Sequence, residues 1–176
     1  MATVFWLLKF CKERAHADQF IAGSLFLRRL GFFRGLEEAD DGRGDRFEGA
    51  AHIMQPDMGV IMRVNGIQLP TTSSDWAGPA LFTPQVALDE HALCVYAGSS
   101  GPFTNLSQDN FDEFRQYMLV PEKCGAMGGE HVVLVHDVTA FQDRLIAACR
   151  REDFALKAGP VTYYDDTVFH GALEPL

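Results

Sequence analysis

Along the chain, apolar and polar positions fall into short blocks that predict a mixture of strands and helices. Val4 to Phe10 is dense in aromatic and branched side chains and only seven residues long, which predicts a buried strand. Lys12 to Ala22 predicts a helix. Ala15, Gln19 and Ala22, with Phe20 and Ile21, give it a broad apolar side, and Gly23 follows as a C-terminal stop. Ser24 to Phe33 returns to strand-like composition through Leu25-Phe26-Leu27 and Arg28-Arg29-Leu30. Strand, helix and strand in succession point to an α/β or α+β architecture. Glu37 to Gly49 is rich in Asp, Gly and Arg and predicts a loop.

The clearest local signal is Val60 to Val64, then Asn65-Gly66, then Ile67 to Leu69. Two apolar arms joined by Asn-Gly predict a hairpin, because both residues tolerate the positive φ of a type I′ turn. Pro70 to Pro84 predicts mainly loop, Ala92 to Ala97 a strand, and Asn110 to Leu119 a helix with Phe111, Phe114 and Met118 on one side. Val132 to Val135 is a continuous apolar run of the kind found in a central strand. Thr139-Ala140-Phe141-Gln142 matches a capping box, opening a helix with Phe141, Leu145, Ile146 and Cys149 as its apolar stripe. Arg150 and Arg151 suit the negative end of that helix. Val161 to Tyr164 predicts a closing strand. The expected whole is a single domain, residues 1–176, with a mixed sheet and about three helices.

Composition narrows the function classes. Of 176 residues, 47% are hydrophobic, so the chain is not a disordered polymer, and its length permits a core without disulfide or metal staples. Its 24 acidic against 15 basic side chains give a net charge of −9. That argues against direct binding to a nucleic-acid backbone or an anionic membrane surface, and suits attachment to something basic. The apolar opening meets Lys9 after five residues, too soon for a signal segment, and no stretch approaches a membrane span. Cys11, Cys94, Cys124 and Cys149 are far apart and form no CxxC pair, which fits free thiols in the cytoplasm.

Two segments could carry chemistry. Asp40 to Gly49 places charged side chains and three glycines in ten residues, without the spacing of a dinucleotide fingerprint. It reads either as a solvated turn with local ion pairs or as a pocket wall in which Arg46 and its flanking carboxylates grip an anionic or ribose-bearing ligand. Arg43-Gly44-Asp45 also spells a cell-adhesion tripeptide, a match short enough to arise by chance. Gly128-Gly129-Glu130 leads into the Val132 run. It reads either as an exposed strand start or as a carboxylate held at a cleft mouth. His131 and His136 differ by an odd number and face opposite sides of a regular strand, which counts against a two-histidine metal site. Cys124 with His131 is a weak thiol–base pairing, since nothing in the sequence orients the two.

Phe5-Trp6-Leu7-Leu8-Lys9-Phe10, Ser24 to Leu27 and Gly44-Asp45-Arg46-Phe47-Glu48 resemble a widespread family of uncharacterised bacterial and phage proteins. These open with an aromatic-Lys-aromatic strand and reach an Asp-Pro-Phe-Glu motif, in which Arg46 here replaces the proline. Gly159 to Tyr164 is similar to that family's late strand. Gly129 to Asp137 is in turn similar to the Asn-Glu-Tyr-Ile-Val-Tyr-Asp segment of poly-ADP-ribose polymerases, and Ser24 to Leu27 to one of their strands.

This second resemblance implies an ADP-ribosyltransferase-like fold and transfer of ADP-ribose from NAD. Glu130 would be the catalytic carboxylate, and Lys9, Arg34, Arg46 and Glu48 the cofactor-binding candidates. The His-Gly pair that grips NAD in that family has no match, and Lys9 or Cys11 would occupy its area. Beside this reading stand two binding roles, an acidic inhibitor docking on a basic, nucleic-acid-binding host-defence protein, and a sponge for a nucleotide signal.

Overall fold

The computed structural model describes residues 2–38, 49–68, 72–122, 124–125, 129–162, 164–165 and 167–173. The chain forms two compact units, each assembled from two separated stretches. Met1–Leu27 joins Leu93–Leu156, and Arg28–Ala92 joins Lys157–Leu176.

The first unit is built on β1 (Val4–Cys11), the strand expected at the start of the chain. Helix α1 (Arg14–Ile21) follows it, one or two residues shorter at each end than its apolar side suggests. β1 lies in the middle of a three-stranded antiparallel sheet. One neighbour is a strand at Tyr96–Ser99 and the other a strand at His131–Val135. Cross-strand partners share a sheet face. Leu7, Lys9 and Cys11 therefore lie on the same side as Val135, Val133 and His131. Leu7 and Cys11 are buried there, with Ala17 and Phe20 of α1. Phe20 stacks on Phe141 of the late helix at 5.9 Å between ring centres, which draws both helices toward one core.

The second unit starts with β2 (Arg28–Arg29) and α2 (Leu30–Glu38). Here the expected Ser24–Phe33 strand gives way to helix. Leu30, Phe33 and Arg34 are covered at spacings of three and four, a helical period, and Leu30 is buried. β3 (His52–Met54) carries Ile53, the most buried large side chain among the described residues, and sits between the later strands of this unit. The hairpin forms as β4 (Arg63–Val64) and β5 (Ile67–Gln68) about Asn65-Gly66, with paired arms shorter than the apolar runs. Leu69 lies outside the described residues. The expected Pro70–Pro84 loop contains β6 (Ala80–Phe82), which pairs with β3. A short helix α3 (Gln85–Asp89) and β7 (His91–Ala92) complete this stretch, β7 pairing with β2.

The single strand expected at Ala92–Ala97 is two strands in different units, β7 and then β8 (Tyr96–Ser99). Helix α4 (Phe111–Tyr117) falls where the pattern places it. β9 (His131–Val135) forms, but at a sheet edge and not at the centre. Its continuous apolar run hides an alternation, since Val132 and Leu134 are 48% and 56% exposed while their neighbours are half-buried. Helix α5 (Val138–Arg151) begins one residue before the expected cap. Asp137, not Thr139, accepts the Ala140 amide at 2.9 Å. The half-buried stripe therefore starts at Val138 and continues through Phe141 and Leu145. Val161, Thr162 and Tyr164 form no strand, and the last strand is β10 (Gly171–Ala172), paired with β3.

Among the described residues every strand pairing is antiparallel, spread over four small sheets. The architecture is thus mixed helix and strand, and the elements defined among the described residues include five helices in place of about three, with no single mixed sheet among those residues. No helix among the described residues is long and apolar enough to cross a membrane.

Candidate functional site

Glu130 is exposed at the head of β9, the position its Gly-Gly lead suggests. Gly129 fixes that position. Its φ is +111°, and a side chain there would collide with the backbone of Cys11 and Lys12. Only glycine lets the chain pass so close to the end of β1 before turning into β9. The carboxylate that follows is set at the sheet's end by backbone packing.

Lys9, the candidate that shares a unit with Glu130, is not brought to it. Lys9 pairs with Val133 across the ladder, three residues beyond Glu130. That is about 10 Å along a strand at roughly 3.4 Å per residue. The Lys9 ammonium donates to the Cys94 carbonyl at 3.1 Å, so it braces the chain entering β8. Arg34 is half-buried on α2, in the second unit. Arg46 and Glu48 lie outside the described residues, with the Asp40–Glu48 stretch as a whole.

Among the described residues, Asp75, Asp165 and Tyr96 have pKa values displaced from the ordinary ones. Asp75 is held below the usual carboxylate range by the Thr72 backbone N–H and then by the Thr72 hydroxyl. Asp165 is lowered by the Thr167 hydroxyl, which donates to it at 2.6 Å, and by the Thr167 N–H. Both are turn carboxylates that close on their own backbone, and a general acid requires the opposite shift. The Tyr96 phenol is raised by burial and, to a lesser degree, by Cys124 and Tyr117. Its ring stacks on Trp6 with centres 6.0 Å apart. No disulfide joins the four cysteines, all of which are among the described residues, and Cys11 is buried. No three metal-ligating side chains come together among the described residues.

What does come together in the first unit is aromatic. The start of β1, the loop after β8 and α4 enclose a cleft of about 360 Å³ lined by Phe5, Phe103, Leu106 and Phe114. Phe103 meets Phe114 edge-on at 5.6 Å, and Phe5 meets Phe114 at 6.3 Å and 87°. A second hollow of about 450 Å³, lined by Leu106, Ser107, Gln108, Phe111 and Asp112, shares Leu106 with the first. Asn110 fixes this lip. Its side-chain oxygen accepts from Ser107 N–H at 2.8 Å, and its amide nitrogen donates to the Asn105 carbonyl at 2.9 Å.

The sequence pattern shows Phe111 and Phe114 as one side of a helix, but not this cleft. Phe103 and Leu106 lie in irregular chain, and Phe5 is about a hundred positions away. The one legible cue was a run of aromatics interleaved with Asp109, Asp112 and Glu113. No family model, curated protein or solved structure matches this chain.

Proposed function

We propose that this chain is a non-catalytic binding protein that docks its acidic surface on a basic face of another protein. The nucleic-acid-binding face of a host-defence protein is one such partner. The observation that carries the reading is the state of the surface charge. Asp109, Asp112 and Glu113 stand together at the exposed start of α4, and among the described residues no cation pairs with them. The chain as a whole keeps its surplus of nine carboxylates. Such a field steers a basic partner into encounter and disfavours anionic ligands.

A second reading, ADP-ribose transfer from NAD, is favoured by the exposed Glu130 that Gly129 locks at the end of the sheet. A fixed carboxylate there could stabilise the positive charge that develops on ribose as the glycosidic bond breaks. Incubation with NAD and protein acceptors separates the two. The docking reading expects no released nicotinamide from the parent or from Glu130→Gln. Release by the parent that falls about 10²–10³-fold in Glu130→Gln would establish the transferase instead. NAD that is retained and recovered unchanged on denaturation would identify a nucleotide sponge.

A further inference from the structure

Resting on the docking reading above, we infer that the aromatic cleft of the first unit is the docking site. Its occupant is an extended segment of a basic protein, with an apolar or aromatic side chain flanked by arginines or lysines. Size and lining define the centre of that segment. The two open hollows meeting at Leu106 measure about 360 and 450 Å³, and Phe5, Phe103, Phe111 and Phe114 line them together with polar Thr104, Ser107 and Gln108. Each is in the range that takes a bulky side chain or a small ligand. Leu106 and Phe111 at the lip are 52% and 53% exposed, so water covers apolar surface that a partner would displace.

Charge defines the flanks. Asp112 lines the outer hollow, and Asp109 and Glu113 are its exposed neighbours in sequence. Arg115 is the only cation between Leu106 and Tyr117. A phosphate-bearing ligand would meet three carboxylates against one cation and be repelled. A neutral apolar ligand would leave the carboxylates unused. A guanidinium satisfies both features, because it forks onto carboxylates and stacks on aromatic faces. The positive end of the α4 dipole opposes a cation there, but it amounts to about half a charge and is outweighed by full carboxylates. The lip is also organised before binding. Asn110 ties Asn105 to Ser107, and Phe103 N–H donates to the Ser100 carbonyl at 2.9 Å. A lip fixed in advance loses little conformational freedom when it is occupied.

The test uses the full chain and a synthetic, end-blocked hexapeptide with two arginines on each side of a leucine–phenylalanine centre, read by fluorescence anisotropy. Phe111→Ser alters an exposed side chain and spares the fold, and it is expected to weaken binding about tenfold or more. Asp112→Asn with Glu113→Gln is expected to weaken it by a similar factor and to flatten its salt dependence. Asp143→Asn with Asp153→Asn, exposed carboxylates of α5 and its C-terminal end, should leave binding within about twofold. Loss of binding in the Asp143 and Asp153 pair with the cleft variants intact would overturn the cleft while leaving acidic docking in place. Absence of peptide binding by the parent chain would overturn both.

Discussion

Asn65 and Gly66 hold φ angles of +50° and +82°, the consecutive left-handed pair that a type I′ turn requires. Branched side chains resist that region, at a strain of about 1–3 kcal/mol for a residue held there. Gly66→Val is therefore expected to open the hairpin, raising amide exchange at Val64 and Ile67, the pair that flanks the turn, while distant amides keep their protection. Unchanged exchange at those positions would mean the turn is not what holds the arms. Asn-Gly was legible because its geometry is set within two residues. Gly129 was not: its need for glycine comes from Cys11 and Lys12, more than a hundred positions away. The site divides in the same way. Glu130 could be read as an exposed carboxylate from its own neighbours. The meeting of Phe5 with Phe114 could not, since no local period links a first strand to a late helix.

Elements show the same limit through burial. β1 and α4 were legible because each has a compact apolar block with clear ends. β9 was legible as a strand and misplaced as central. An apolar run looks alike whether its second face is covered or, as for Val132 and Leu134, open. Around Ser24–Phe33 the composition is ambiguous. Burial of Leu30 at helical spacing from Phe33 and Arg34 decides for helix from that point. At the start of α5, two side chains compete to cap one helix. Asp137 Oδ1 accepts the Ala140 N–H at 2.9 Å, so Asp137→Ala is expected to cost about 1 kcal/mol of stability. Thr139→Ala, inside the first turn and exposed, should stay within about 0.5 kcal/mol. Denaturant midpoints of the two variants check this, and the reverse order would restore the capping box at Thr139.

At the scale of the whole molecule, nine surplus carboxylates make the surface field the most general property of the chain. The first unit adds an aromatic cleft beside carboxylates that no cation pairs with among the described residues. Long-range attraction of that kind is screened as the Debye length shrinks from about 30 Å at 0.01 M salt to about 8 Å at 0.15 M. The apolar part of the contact is not. The most direct measurement is the affinity of the arginine-flanked hexapeptide for the intact chain across that salt range, with a glutamate-flanked peptide of the same centre as reference. Acidic docking at the cleft predicts that the arginine peptide binds and weakens about tenfold or more with added salt, mainly through slower association, while the glutamate peptide does not bind. Equal binding of the two peptides, or an arginine-peptide affinity indifferent to salt, would contradict it.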